Sequence, residues 1–324
     1  MTSAEERWLV ALQEGLPLDP RPFQALAAEL NCAEADLIAF LARCRTEGVV
    51  RRFGAVFDTR RLGYRSALCA VRASDPAAAA AVLTPLTGVT HCYLRETQPP
   101  VAAYPNLWFT LSYPSDIFPA MADEVKARLA QEVFILPATK RYKVDVVFGA
   151  ATRVREESVA AGAPLSARDR AIIGVLQGDT EVRSDYFAAL AERAGVKEWD
   201  LLSTLEVWRR NGRLKRVGLL LAHREAGWTA NGMCCWRVAG DTTEVGRALA
   251  ACPEVTHCYE RPEASTFPFN LFAMVHARSQ DEATMQFEKL TAVVASTTGE
   301  TVPAAMLLST REYKKTSMTF FPRG

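Results

Sequence analysis

The sequence VTHCY occurs at residues 89–93 and again at residues 255–259 of a chain of 324 residues. The two copies lie 166 residues apart, and in each copy an arginine, Arg95 or Arg261, stands two positions after the tyrosine. Each copy also contains one of the chain's four histidines, His91 or His257. A repeat at about half the chain length indicates that one unit was duplicated and fused, so the sequence predicts two related halves.

The residues around these copies support the duplication. With a constant offset of 164 residues, glycines and arginines of the first half align with the same residue types in the second half. The aligned sets are Gly48, Arg52, Gly54, Arg60 and Gly63 in the first half, and Gly212, Arg216, Gly218, Arg224 and Gly227 in the second.

The spacing of apolar residues predicts the same order of elements in both halves. Three short helical segments, the last ending at a glycine, precede segments with the alternating period of strands. This order indicates a winged helix-turn-helix followed by a ferredoxin-like β-α-β-β-α-β unit. We therefore predict an α+β tandem duplication, with helix-turn-helix-like domains at 1–50 and 164–213 and ferredoxin-like domains at 51–150 and 214–324. We expect the halves to pair as an intramolecular pseudo-dimer, sheet facing sheet, and further homodimerisation stays open.

The composition limits the class of protein. At 49% hydrophobic residues the chain can bury full cores, and a net charge of +1 gives no general bias towards nucleic acid. No apolar run approaches the length of a membrane span, and the first residues contain no apolar signal core, so we expect a cytoplasmic protein. The eight cysteines include no Cys-x-x-Cys pair, which favours reduced thiols over a zinc site or disulfides.

Strand geometry predicts that the polar side chains of each repeated segment lie on one face of a strand. Side chains at alternate positions of a strand share one face, so the histidine, tyrosine and arginine of each copy should lie together. Each triplet would span roughly 13 Å, which suits a large flat ligand. The residues between them, Thr90, Cys92 and Leu94 in the first copy, are expected to face the covering helices. The two triplets are His91, Tyr93 and Arg95, and His257, Tyr259 and Arg261.

These residue types suit a ligand with several carboxylates. Arginine binds carboxylates in a bidentate manner, histidine donates a proton or ligates a metal, and tyrosine offers a hydroxyl and a stacking surface. Further basic residues follow the third helix of each half, namely Arg51, Arg52, Lys215 and Arg216. The alternative is structural, because strand histidines are often hydrogen-bonded core residues and scattered arginines are usually solvated. The duplication favours a functional role. His223 and His276 have no counterpart and are weaker candidates.

The predicted order of domains resembles the Lrp/AsnC regulators. A more specific similarity is to the siroheme decarboxylases, which share that fold but are enzymes. It lies in the segment EGVVRRFGAVFD at 47–58, in Leu62-Gly63-Tyr64, in Asn106-Leu107-Trp108 and in the two His-Cys-Tyr-x-Arg segments. The duplicated length resembles the fused NirD–NirL type from haem d1 biosynthesis. The second half departs from the pattern at 217–222, where VGLLLA replaces FGAVFD.

The resemblance implies a carboxy-lyase. Siroheme, an iron tetrapyrrole with eight carboxylates, would be the substrate, and its C12 and C18 acetates would become methyl groups without an added cofactor. His91 or His257 would protonate the carbanion-like carbon. Either histidine could instead be an axial ligand of the siroheme iron. We expect no metal site formed by the protein alone. The expected carboxylate-binding and orienting residues are Arg51, Arg52, Tyr93, Arg95, Lys215, Arg216, Tyr259 and Arg261. Siroheme and the downstream enzymes of haem d1 biosynthesis would be its partners.

The sequence leaves two alternative functions. The first is a ligand-responsive DNA-binding regulator of the Lrp/AsnC type. Phosphate contacts need basic residues, but residues 1–50 contain four arginines and eight acids, and the third helix opens with the acidic sequence AEAD at 33–36. The charge therefore argues against DNA as a partner. The second is a haem-binding protein without catalysis, which a turnover measurement would distinguish from an enzyme.

Overall fold

The computed structural model describes residues 1–143, 164–222 and 227–321, and it confirms the predicted α+β duplication. The elements of the first half are α1 (Ser3–Glu14), α2 (Pro22–Leu30), α3 (Glu34–Thr46), β1 (Val50–Phe57), β2 (Tyr64–Val71), α4 (Pro76–Leu83), β3 (Val89–Thr97), β4 (Leu107–Pro114), α5 (Phe118–Leu129), β5 (Val133–Pro137) and β6 (Lys140–Lys143). Those of the second half are α6 (Ala167–Leu176), α7 (Tyr186–Ala194), α8 (Glu198–Arg210), β7 (Leu214–Leu221), β8 (Ala230–Trp236), α9 (Thr243–Ala251), β9 (Val255–Glu260), β10 (Leu271–Ala277), α10 (Gln280–Thr298) and β11 (Ala304–Lys315).

The helical layers of both halves begin in the same way. The Thr2 hydroxyl accepts a hydrogen bond from the backbone of Glu5, whose side chain accepts from the Thr2 backbone, and Ser166 and Asp169 form the same capping box at α6. These bonds satisfy backbone donors that a helix N-terminus leaves unpaired. The six helices of this layer share one apolar core with the strands β1 and β7.

The strands β1 and β7 pair with each other as an antiparallel ribbon. Gly54 lies opposite Gly218, so the pseudo-two-fold axis that relates the halves passes between these aligned glycines. A Cβ atom on Gly54 would overlap the carbonyl oxygen of Gly178, and one on Gly218 would lie 2.5 Å from the oxygen of Leu12. Glycine is therefore needed on both strands because each packs against the helical backbone of the opposite half.

The position of this ribbon bears on the predicted domain boundaries. Because β1 and β7 pack in the core of the helical layer and not in the larger sheet, the wing of each helical domain is completed by the other half. We propose that the helical domains extend to about Phe57 and Leu221, rather than ending at 50 and 213. Most of the predicted junction between the halves, at 150–164, lies outside the described residues.

The other strands form one sheet of nine, in the order β5-β2-β4-β3-β11-β8-β10-β9-β6. The last strand of each half pairs across the halves, because β6 lies beside β9 and β11 lies between β8 and β3. The two end strands, β5 and β6, are separated only by Ala138 and Thr139, so the sheet returns on itself. The predicted arrangement of sheet facing sheet is thus incomplete, since the two sheets are also hydrogen-bonded into one.

In the described parts of the chain, helices cover the outer face of this sheet. The helices α4 and α5 pack on the strands of the first half, and α9 and α10 on those of the second. A further apolar core lies on the inner face and contains residues of both halves, including Trp108, Met233, Phe267 and Phe272. Within the described ranges, no helix combines the length and apolarity that crossing a bilayer would require.

Candidate functional site

The two copies of VTHCY form β3 and β9, and each contains a bulge at its threonine. The pairing shifts between Val89 and His91 in the first copy and between Val255 and His257 in the second. Beyond the bulge, the histidine, tyrosine and arginine of each copy line a common cavity, as the alternation predicts. Thr90 also lines this cavity, contrary to our expectation, because a bulge adds a residue and breaks the strict alternation of faces.

The cavity has a volume of about 550 Å³ and lies where the β1–β7 ribbon meets the inner face of the sheet. Its volume is in the usual range for sites that bind sizeable organic ligands. Both halves contribute to its wall. Nine of the predicted site residues line it, namely Arg51, His91, Tyr93, Arg95, Lys215, Arg216, His257, Tyr259 and Arg261.

Arg52 is the predicted site residue that the structure places elsewhere. Its Nη1 donates to the carbonyl oxygens of Gln177 and Gly178, the latter at 3.3 Å, and its Nη2 donates to the oxygen of Ala55 at 3.0 Å. These carbonyls lie at the C-terminal end of α6 and on β1. Arg52 therefore joins the ribbon to the helical layer of the opposite half, and the structure does not bring it together with the other predicted site residues.

The charge of the cavity wall is strongly unbalanced. Among the described residues, seven basic side chains and one carboxylate line the cavity. That carboxylate, Asp58, is already paired with Arg60 at 2.7 Å. The basic residues are Arg51, Arg95, Arg141, Lys215, Arg216, Arg261 and Lys315. Such an excess of basic over acidic side chains on a cavity wall favours a ligand with several negative charges.

Arg51 is the clearest sign of such a ligand. Burial lowers the pKa of its guanidinium from the ordinary value, and nearby Tyr93 and Glu312 counteract this effect. Its Nε and Nη1 atoms are buried and have no hydrogen-bond partner within the described part of the chain. A buried donor without an acceptor is costly, and a ligand carboxylate that reached these atoms would satisfy them.

Each of the two repeated arginines donates hydrogen bonds to residues of the other half. Arg95 donates to the carbonyl oxygen of Leu307 at 3.4 Å and to Oδ1 of Asn231 at 2.9 Å, and Arg261 donates to the oxygen of Leu136 at 2.5 Å. Burial lowers the pKa of each to about 10, so both remain charged at pH 7. Each guanidinium also lies over the tyrosine of its own triplet, at 5.2 Å from the ring centre of Tyr93 and 4.8 Å from that of Tyr259. They therefore supply fixed positive charge at the inner face.

The position of His91 in the cavity wall strongly affects the pKa of its imidazole. Burial, followed by the positive charges of Arg51 and Lys315, lowers the pKa of its imidazole to about 3. A smaller contribution comes from His257, which faces the same cavity. The imidazole is therefore neutral at pH 7, and its Nδ1 is 2.9 Å from the Thr90 hydroxyl. A neutral imidazole can ligate a metal through its other nitrogen.

The structure adds four residues that the sequence did not single out as site residues. Arg141 and Lys315 reach the cavity because they lie on β6 and β11, the strands that pair across the halves. Asn231 carried no local signal. His276 was set aside because it lacks a counterpart, yet it lines the cavity. His223, the other weak candidate, lies outside the described residues, and within those residues no group of three or more metal-ligating side chains is found.

Comparison with known proteins agrees with this geometry. Residues 61–143 and 225–314 match the model of the AsnC-like ligand binding domain, and residues 5–51 match that of the siroheme decarboxylase NirDL-like HTH domain. A siroheme decarboxylase of Hydrogenobacter thermophilus is 32% identical over 98% of this chain and 94% of its own length. The siroheme decarboxylase NirDL subunit of Paracoccus denitrificans is 34% identical over 98% of both chains.

A solved structure extends this similarity to the fold. The crystal structure of the siroheme decarboxylase NirDL in co-complex with an iron-uroporphyrin III analogue is 28% identical in sequence. It superposes with a TM-score of 0.73 and covers 98% of this chain and 95% of its own. Sequence identity, matched domains and tertiary structure all extend over nearly the whole chain, and the chain belongs to the siroheme decarboxylase family.

Proposed function

We propose that this chain decarboxylates siroheme, converting its C12 and C18 acetates to methyl groups. The single observation that carries the proposal is the cavity wall, on which, among the residues that the structure describes, seven basic side chains accompany one paired carboxylate. A tetrapyrrole with eight carboxylates complements such a wall in charge, and its flat ring suits the tyrosine and histidine faces. A relative of the same family binds an iron-uroporphyrin III analogue, which supports a tetrapyrrole as the ligand here.

The basic residues bind and orient the substrate. Arg51, Lys215, Arg216 and Lys315 would hold propionates and acetates, while Arg95 and Arg261 supply fixed positive charge behind Tyr93 and Tyr259. Holding a carboxylate in register in this way places the bond that breaks against the catalytic group. Arg52 has no such role in the proposal, because it does not line the cavity and its Nη1 and Nη2 donate to backbone carbonyls of the protein.

The two histidines are assigned different roles. His91, neutral and held at Nδ1 by Thr90, would ligate the iron of the substrate through Nε2. His257 would donate the proton. When the bond between the acetate methylene and its carboxylate breaks, the electron pair stays on the methylene carbon and delocalises into the macrocycle. Carbon dioxide leaves, and the proton from His257 completes the methyl group, so no oxidant or reductant is consumed.

The structure gives no support to the DNA-binding alternative. The helices α3 and α8 each open with two acidic residues, Glu34 and Asp36 in one and Glu198 and Asp200 in the other. Of the two arginines in the last turn of α3, Arg43 pairs with Glu5, and Arg45 pairs with Asp179 at 2.8 Å. Phosphate binding would require breaking these pairs.

The test is to incubate the purified protein with siroheme under anaerobic conditions and to follow mass and absorbance. We expect the loss of two carbon dioxide molecules per siroheme. Binding without any loss of mass would favour the alternative of a haem-binding protein without catalysis. Failure to bind siroheme at all would contradict both, and a short DNA duplex added in place of siroheme would then test the regulator.

A further inference from the structure

Among the differences between the halves is one equivalent pair of positions at or directly behind the cavity wall. In the first half, Ser66 on β2 lies opposite Ser112 on β4, and their hydroxyl oxygens are 2.6 Å apart. In the second half, Asn231 on β8 lies opposite His276 on β10, and Nδ2 of the asparagine is 3.1 Å from Nε2 of the histidine. Two small hydroxymethyl groups thus correspond to an amide and an imidazole.

Each member of the Asn231–His276 pair has a further hydrogen-bond partner that fixes its orientation, Arg95 for Asn231 and Thr256 for His276. Because arginine can only donate, the Arg95 guanidinium requires Oδ1 of Asn231 as its acceptor, which turns Nδ2 towards His276. Nε2 of His276 must then accept, so the proton of the neutral ring is on Nδ1. Nδ1 is 3.2 Å from the hydroxyl of Thr256, which in turn donates to the carbonyl oxygen of Met274 at 3.0 Å.

This chain of hydrogen bonds fixes the orientation of the Asn231 and His276 side chains in the second-half wall. Ser66 and Ser112 have smaller side chains than Asn231 and His276, so the equivalent positions of the two halves differ in bulk.

A pseudo-symmetric cavity presents an asymmetric ligand with two orientations, related by the axis between Gly54 and Gly218. An unequal wall makes the two orientations unequal in energy, since one places a bulky peripheral group against the imidazole and the other places it against the serines. We propose that the Asn231–His276 pair selects the orientation of the tetrapyrrole in the cavity. It thereby decides which acetate reaches His257. This inference rests on the proposed function for the identity of the ligand.

The test uses iron uroporphyrin III as a probe that reports orientation without turnover. Proton NMR of the complex resolves hyperfine-shifted resonances of the bound ring, and two orientations give two sets of resonances. For the wild-type protein we expect one dominant set, by roughly 10 to 1 or more, which corresponds to about 1.4 kcal/mol. The double variant Asn231→Ser with His276→Ser makes these positions alike in the two halves and should give a clear second set of resonances.

Two further variants keep the test decisive. Ser309→Ala removes a side chain that contacts Oδ1 of Asn231 at 3.3 Å but does not line the cavity, and it should keep the single set. If the double variant does not fold, His276→Ser alone retains the bond between Arg95 and Asn231 and should still show the second set. With siroheme, the same variants should yield both mono-decarboxylated isomers at partial conversion where the wild type yields one.

The outcomes separate this inference from the proposed function. Two sets of resonances in the wild type, or one unchanged set in the serine variants, would overturn the orienting role alone and leave the decarboxylase proposal intact. A wild-type protein that does not bind iron uroporphyrin would overturn both.

Discussion

The two copies of VTHCY have the same sequence and the same bulge, yet their threonines have different partners. The Thr90 hydroxyl lies 2.9 Å from Nδ1 of His91, in its own copy, whereas the Thr256 hydroxyl bonds the carbonyl oxygen of Met274 and Nδ1 of His276. The difference arises because His276 on β10 has no counterpart in the first half. Identical segments therefore acquire different chemistry from the strand beside them, and duplication alone does not make the halves equivalent.

The two halves also differ in the basic residues that lie opposite the repeated segments. In the pairing register, Lys315 lies opposite His91, and Arg141 lies opposite Tyr259. Both basic residues come from the last strand of the other half. The structural residues behave differently, since Gly54 and Gly218 face each other on the pseudo-two-fold axis. We infer that the scaffold is symmetric and that the cavity wall is not.

The largest expected effect separates the two histidines. His257→Ala should lower turnover by about 10² to 10⁴-fold, the usual contribution of a general acid, while iron uroporphyrin still binds with an unchanged spectrum. His91→Ala should change the absorbance of the bound iron, because it removes the proposed ligand. Equal spectra and equal turnover in the two variants would contradict the division of roles. The measurements are single-turnover rates and absorbance spectra of each complex.

The glycines of the ribbon should instead respond alike. Gly54→Ala and Gly218→Ala each force a methyl group against a helical carbonyl oxygen of the opposite half, an overpacking that costs roughly 1–3 kcal/mol. At about 2–4 °C per kcal/mol, each should lower the melting temperature by several degrees.

A third glycine provides the control for this measurement by thermal unfolding. Gly174→Ala lies in the exposed interior of α6 with no atom within 4 Å of the added methyl, so stability should be unchanged or raised by up to about 1 kcal/mol. A clear difference between the two ribbon variants would show that the scaffold itself is asymmetric.

Substitution of the adjacent residues Arg51 and Arg52 should affect different properties, namely ligand affinity for Arg51 and stability for Arg52. Arg51→Ala removes a cation whose Nε and Nη1 have no hydrogen-bond partner among the described residues, and we expect the affinity for iron uroporphyrin to fall by roughly tenfold, which corresponds to about 1.4 kcal/mol. Arg52→Ala should leave that affinity nearly unchanged and lower the melting temperature, because three carbonyl groups lose their donor. Titration calorimetry and thermal unfolding of both variants test this distinction. Weaker binding in the Arg52 variant at unchanged stability would return Arg52 to the site.

The last prediction concerns the dependence of stability on pH. The pKa of His91 is about 3 in the folded protein and 6.5 in its ordinary environment, so the unfolded chain takes up the proton first as the pH falls. Stability from this group is complete above about pH 6.5 and declines towards pH 3. His91→Gln should flatten the decline between pH 7 and 5 in urea-unfolding midpoints, and His257→Gln tests whether the second half shares it. A His91 variant with the wild-type slope would refute this account.

Sequence reasoning located most of the site because the backbone period of a strand is local. Alternation correctly brought His91, Tyr93 and Arg95 to one face. It failed at Thr90, where a bulge that depends on the neighbouring strand interrupts the period. It also grouped Arg52 with Arg51 because they are adjacent, although adjacent strand residues point in opposite directions, one into the cavity and one into the helical layer. Asn231 could not be found, since its partners Arg95 and His276 are distant in sequence.

The sequence by itself determined the duplication, the order of helices and strands, and the face on which each repeated triplet lies. These follow from residue spacing and from backbone geometry, which act over a few neighbouring positions. Only the tertiary structure decided that β6 and β11 pair across the halves, that Gly54 and Gly218 meet on an axis, and that seven basic side chains surround one cavity. The physical reason is that strand pairing and charge accumulation join residues far apart in the chain, and their energies depend on which surfaces meet.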